Sequence, residues 1–289
     1  MDSIDPIPQE QQEQQVQPVS GQPIPGPAGP IFSPAEPVPS SGRDPAVADL
    51  VDVALVAGFA FFSLILCAVL ALAVVYSAGG ARQTDPKDLA RDALIIIPAQ
   101  AVAYLMVVGF MVFIVWTRHR SRFLQGIQWN MPGPLAAFIA LGGGVALALT
   151  SQLFSGLLQR WIPKTLPIDQ YFKNPASGYA LAAFGVLVAP LVEEFFFRGF
   201  LYPALARWTG APTAIVLTAI GFSSIHQEQL ARAWAPLLII FAVGLVLTIV
   251  RAKTRSVATS VLIHMGYNAT LFTMLFVVTE GFRHMERMN

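Results

Sequence analysis

Charge is scarce in this chain. Of 289 residues only 12% are charged and 55% are hydrophobic, with a mean hydropathy of +0.59, whereas a soluble domain carries about 25% charged residues. The net charge is +1 and no long basic tract is present, which argues against a nucleic-acid partner. The single cysteine, Cys67, excludes an intramolecular disulfide and a thiolate metal site. Set in an apolar run, it reads as a small buried side chain. The first residues offer neither a basic start nor an apolar stretch of signal-peptide length, so they do not read as a secretory signal.

Long apolar runs are what the chain does have. A bilayer core takes roughly 20 apolar residues in helical form, and only helices or closed barrels satisfy their backbone groups in lipid. The runs here are unbroken rather than alternating, which predicts an all-α, polytopic membrane bundle of about seven transmembrane helices. The expected spans are 51–78, 93–116, 134–158, 178–205, 212–226, 236–250 and 256–279. The fifth and sixth are short for a full crossing and call for tilt or shelter. Gly142, Gly143 and Gly144 in the third span are small residues of the kind that let helices approach closely.

Residues 1–48 differ from the rest. They hold 11 of the 22 prolines and a glutamine cluster around Gln9 to Gln17, so they read as a disordered, polyproline-rich tail before a helical domain at 49–289. Arg118, Arg120 and Arg122 follow the second span, and Arg251, Lys253 and Arg255 follow the sixth. With seven crossings both clusters share one side. The positive-inside rule makes that side and the N-terminus cytoplasmic, in the plasma (inner) membrane if the source is bacterial. The loop at 82–91 on the opposite side balances its bases with acids, while loop 160–173 carries three bases.

Ionisable groups inside a span cost at least about 2.5–3.5 kcal/mol each on insertion scales, so their presence needs a reason. The fourth span carries Glu193, Glu194 and Arg198, the fifth ends Phe222 to His226, and the seventh carries His264 and Asn268. Glu194 and Arg198 are four apart, hence on one face in ion-pair order, which suits a structural pair. Glu193 lies about 100° round the helix and remains free for chemistry. His264 and Asn268 share a face, as do Phe222 and His226. Pro190 removes a backbone donor three residues before Glu193 and predicts a bend beside a hydrated pocket. Counted along the helices, His226 comes out about 21 Å deep against about 12 Å for His264, a mismatch that a tilted fifth helix would remove. His119 and His284 receive no function, and Phe195, Phe196 and Phe197 read as packing or lipid-facing residues.

Glu-Glu-x-x-x-Arg, Phe-x-x-x-His and His-x-x-x-Asn, in that order on separate apolar helices, resemble the CPBP family. Its members are the type II CAAX prenyl endopeptidases and related bacteriocin-processing and abortive-infection proteins. The resemblance covers a core at about 178–279 and implies an intramembrane endopeptidase acting on a peptide or protein segment at the bilayer, prenylated or not. It further implies that Glu193 activates the attacking water with help from His226, that His264 and Asn268 stabilise the oxyanion, and that Glu194 and Arg198 hold the architecture. No cofactor is implied. One glutamate and two histidines also make a catalytic zinc triad, so a zinc-dependent version of the same peptidase stays open. Buried Glu and His also serve proton relays, and the same pocket in a non-catalytic binding protein is a further reading.

Overall fold

The computed structural model describes residues 47–78, 89, 92–172 and 174–288, and the described residues contain no strand. The tail expected at 1–48 falls outside them apart from Val47 and Ala48. These two belong with the helices: Ala48 is buried and the Val47 N–H donates to the Gly126 carbonyl. The loop at 82–91 and Lys173 also lie outside the described residues, Leu89 excepted.

Seven apolar helices follow in order: α1 Leu50–Ser77, α2 Ala93–His119, α3 Pro134–Leu157, α4 Pro175–Thr209, α5 Ala211–Ser224, α6 Trp234–Thr254 and α7 Val257–Val278. All but α5 are long and apolar enough to cross a membrane. The chain is therefore an integral, multi-pass membrane protein. With 14 residues, α5 spans about 21 Å against a hydrocarbon core of about 30 Å, and it ends in a run of turns rather than continuing to the far side.

Local chemistry sets these boundaries. Asp49 caps α1 in a reciprocal box with Asp52, Asp92 caps α2, Asn174 caps α4 with Pro175 behind it, and Ser256 caps α7. Each supplies an acceptor to the otherwise orphaned first-turn N–H groups. Arg120 and Arg255 close α2 and α6 in the left-handed conformation.

Lipid tails are as apolar as leucine, so helices in a bilayer associate through close packing and hydrogen bonds rather than through the hydrophobic effect. The tightest approach joins α3 to α7. A Cβ on Gly144 would collide with the Ile263 carbonyl and the Tyr267 N–H, and one on Gly266 would lie 2.5 Å from the Leu141 carbonyl. At one end of the bundle the 119–133 loop meets the turn between α6 and α7. There the Val257 N–H donates to the Gln128 carbonyl, Asn130 Nδ2 to the Arg255 carbonyl, and Ser256 Oγ to the Asn130 carbonyl. The two arginine-bearing segments therefore share an end. Asp52, fully buried, ties α1 to α2 through Arg118 Nε and His119 Nε2, each at 2.6 Å; His119, without a function in the sequence reading, is thus a helix-pairing residue. At the opposite end the Ile168 N–H donates to the Gln229 carbonyl and Trp161 meets Trp234 edge to face.

Candidate active site

The fourth helix departs from α geometry twice. Phe184–Val188 and Phe195–Leu201 are π-helical, on either side of the α turn Ala189–Glu194 that bears both glutamates. Such turns insert an extra residue and recur at functional sites. At Pro190, the site of the expected bend, the structure places a wide turn that ends at Val188, with one residue between it and the proline.

On this helix Arg198 and Glu194 are both fully buried, with Nη1 2.8 Å from Glu194 Oε1. The other guanidinium arm, Nη2, donates to the Gly244 carbonyl of α6 at 2.9 Å. The same Glu194 oxygen also takes a hydrogen bond from His264 Nδ1 of α7, at 3.0 Å. Glu194 therefore does more than the ion pairing assigned to it from spacing, because it also orients an imidazole. The far ring nitrogen, His264 Nε2, lies 3.9 Å from Glu193 Oε2. That separation is too wide for a hydrogen bond and too narrow for a water to sit on the line between the two atoms; a water placed beside the pair reaches both. Glu193 is the less buried of the two acids, its side chain 13% exposed.

Phe222 gathers the rest. Its ring lies 5.1 Å from the His226 ring and 5.7 Å from the His264 ring, and the Arg198 guanidinium stands 4.6 Å above it. The two imidazoles, far apart in counted depth, thus flank one phenyl group. His226 lies just past the end of α5, where its Nδ1 bonds to the Phe222 carbonyl at 2.9 Å. Asn268 Nδ2 donates to the Gly185 carbonyl at 2.7 Å, tying α7 to the first π turn. Phe197 is buried edge-on against Phe222, whereas Phe195 packs on Phe123 and Trp129.

Both histidines are held through Nδ1, His226 on a carbonyl and His264 on the Glu194 oxygen that also accepts from Arg198, so Nδ1 is the donor in each. Each Nε2 then accepts when the ring is neutral and donates only when the ring is protonated. Tyr104 of α2 was not found from the sequence. Its hydroxyl accepts from Gln100 Nε2 at 3.1 Å, and its ring lies 5.5 Å from that of Phe184 in the first π turn. The signal was there as an i,i+4 pair of polar groups inside an apolar run. Among the described residues no group of three or more His, Cys, Asp and Glu side chains is assembled to hold a metal ion. A cavity of about 340 Å³ between α3 and α6, lined by residues such as Leu147, Phe154 and Val243, and one of about 570 Å³ beside Gln125 and Arg255 are both lined by other residues than this cluster.

Glu193, Glu194 and His264 thus stand together, with His226 on the same phenyl group as His264, while Asn268 lies one turn beyond His264 on α7 and is tied to Gly185. Residues 175–270, about a third of the chain, match the family model described as Type II CAAX prenyl endopeptidase Rce1-like, in agreement with the resemblance carried by the three motifs. The match implies endopeptidase activity in a lipid environment. No curated protein and no solved structure is matched by the chain.

Proposed function

We propose that this protein hydrolyses a peptide bond within or at the membrane, using a water activated by Glu193 and no metal. The observation that supports it best is the placement of His264, with one nitrogen on Glu194 and the other 3.9 Å from Glu193, so that one water beside the pair reaches both. In this reading that water gives a proton to Glu193 as its oxygen attacks the peptide carbonyl. A C–O bond forms, the carbonyl π pair moves onto oxygen, and the oxyanion is met by the second Asn268 N–H, while His264 Nε2 accepts from the water's remaining hydrogen and orients it for the attack. The proton taken up then passes to the amide nitrogen, by way of His226 or directly from Glu193, as the C–N bond breaks. The products are an amine and a carboxylic acid, which gives up its remaining proton to become a carboxylate. Glu194 and Arg198 hold His264 in register and touch no reacting atom. The substrate is a peptide segment presented at the bilayer, a prenylated C-terminal tail being the case suggested by the family's name.

The direct test sets wild type beside Glu193→Gln on a panel of membrane-embedded peptides, prenylated and unprenylated. Loss of general-base action costs about 10²–10⁴-fold, so the variant should leave peptides uncut that wild type cleaves. Equal cleavage by both removes the glutamate mechanism. Chelator added to the purified enzyme should leave the rate unchanged; lasting inhibition reversed by zinc would replace this reading with the zinc-dependent one.

A further inference from the structure

The two π-helical stretches of α4 obey one rule. Each is followed, after one intervening residue, by a proline: Pro190 after Phe184–Val188 and Pro203 after Phe195–Leu201. In a π turn an N–H bonds to the carbonyl five residues back, and here the Ala189 N–H donates to the Phe184 carbonyl and the Tyr202 N–H to the Phe197 carbonyl. The next donors in that register belong to residues 190 and 203, and their acceptors are the carbonyls of Gly185 and Arg198. Proline has no N–H, so both carbonyls are deprived of a backbone donor inside a membrane helix, where no lipid group replaces it. Each is instead taken by a side chain from a later helix: Asn268 Nδ2 on Gly185 at 2.7 Å, and Arg251 Nε on Arg198 at 3.0 Å.

We propose that Pro190 is a positioning residue for Asn268, freeing the Gly185 carbonyl so that it holds one amide proton and thereby aims the other. A carboxamide is planar, so a bond through one N–H fixes the direction of its partner. Gly185 completes the device. A Cβ there would lie 2.8 Å from the Phe272 ring, and α7 approaches closely enough for a side chain as short as asparagine to reach because that Cβ is missing. Pro203 and Arg251 are a second use of the same rule, linking α6 to the backbone of the residue that pairs with Glu194.

The kinetic half of this inference rests on the peptidase reading; the hydrogen-bond half does not. Wild type, Pro190→Ala, Asn268→Ala and the double variant are purified as full chains, and Tm and cleavage are measured for all four. If Asn268→Ala does not purify, Asn268→Ser takes its place. The Pro190→Ala change supplies a backbone N–H for the Gly185 carbonyl. Asn268→Ala should therefore lower Tm by about 3 °C in the wild-type background and by much less when combined with Pro190→Ala. Pro190→Ala should lower kcat about tenfold at nearly constant KM, and the double variant should cleave no more slowly than Asn268→Ala. Additive Tm losses overturn the linkage. Coupled Tm losses with an unchanged kcat in Pro190→Ala overturn the positioning role. Coupled Tm losses in a protein whose wild type cuts no peptide on the panel sink the peptidase reading and leave the linkage standing.

Discussion

Glu194 and Glu193 are adjacent acids with opposite expected consequences. Glu194 Oε1 receives both Arg198 and His264 in a fully buried setting, and breaking such a pair by removing one partner costs about 3–5 kcal/mol because the other charge stays buried. Glu194→Gln should therefore lower Tm markedly and slow cleavage through a misdirected His264. Glu193→Gln should abolish cleavage and leave Tm near wild type, since the 3.9 Å separation shows no direct bond to lose. Thermal unfolding of the two variants in detergent separates them. A Glu194→Gln protein as stable as wild type would mean that Arg198 and His264 are held without it.

The α3–α7 crossing gives the corresponding test for a pair of helices, and it separates glycines that composition alone groups together. Gly144 and Gly266 each sit against the partner's backbone, whereas a Cβ on Gly142 or Gly143 meets nothing within 4 Å. Gly144→Ala and Gly266→Ala should force the helices apart, lowering Tm and displacing His264 and Asn268 on α7. Gly142→Ala and Gly143→Ala should be neutral or stabilise by about 0.5–1 kcal/mol, the helical penalty of glycine. Equal losses at all four positions would exclude the close crossing. Much of this architecture was legible beforehand: apolar runs located the helices to within a few residues, and the cost of charge in lipid singled out Glu193, Glu194, Arg198, His264 and Asn268. What periodicity could not reveal was anything that depends on a partner far along the chain. The i,i+4 rule pairs Glu194 with Arg198 but is silent about His264, 70 residues on. It also assumes α geometry, so the π turns, and the carbonyls at Gly185 and Arg198 that the prolines following them leave open, were invisible to it. The turn after α5 was read as helix because residues 212–226 are apolar enough to continue one.

The arrangement of the whole bundle about its two ends bears on orientation. The N-terminal cap, the 119–133 loop and the α6–α7 turn are joined by backbone and side-chain hydrogen bonds, which gathers Arg118, Arg120, Arg122, Lys253 and Arg255 at one end. Asp49 and Asp52 offset part of that charge. Burial pushes the Asp49 carboxyl up, but the Asp52 N–H and Arg118 together outweigh it and hold the group below its usual range. It therefore stays ionised at neutral pH and continues to hold Arg118 there. Basic residues near span ends are retained on the cytoplasmic side, so this end should face the cytoplasm and the 158–172 loop should face away. In a Cys67→Ala background, Thr254→Cys marks the first end and Thr165→Cys the second, both exposed positions. A membrane-impermeant maleimide applied to intact cells should label Thr165→Cys and spare Thr254→Cys until the membrane is opened. The reverse pattern would invert the bundle, and with it the side from which a peptide must approach Glu193.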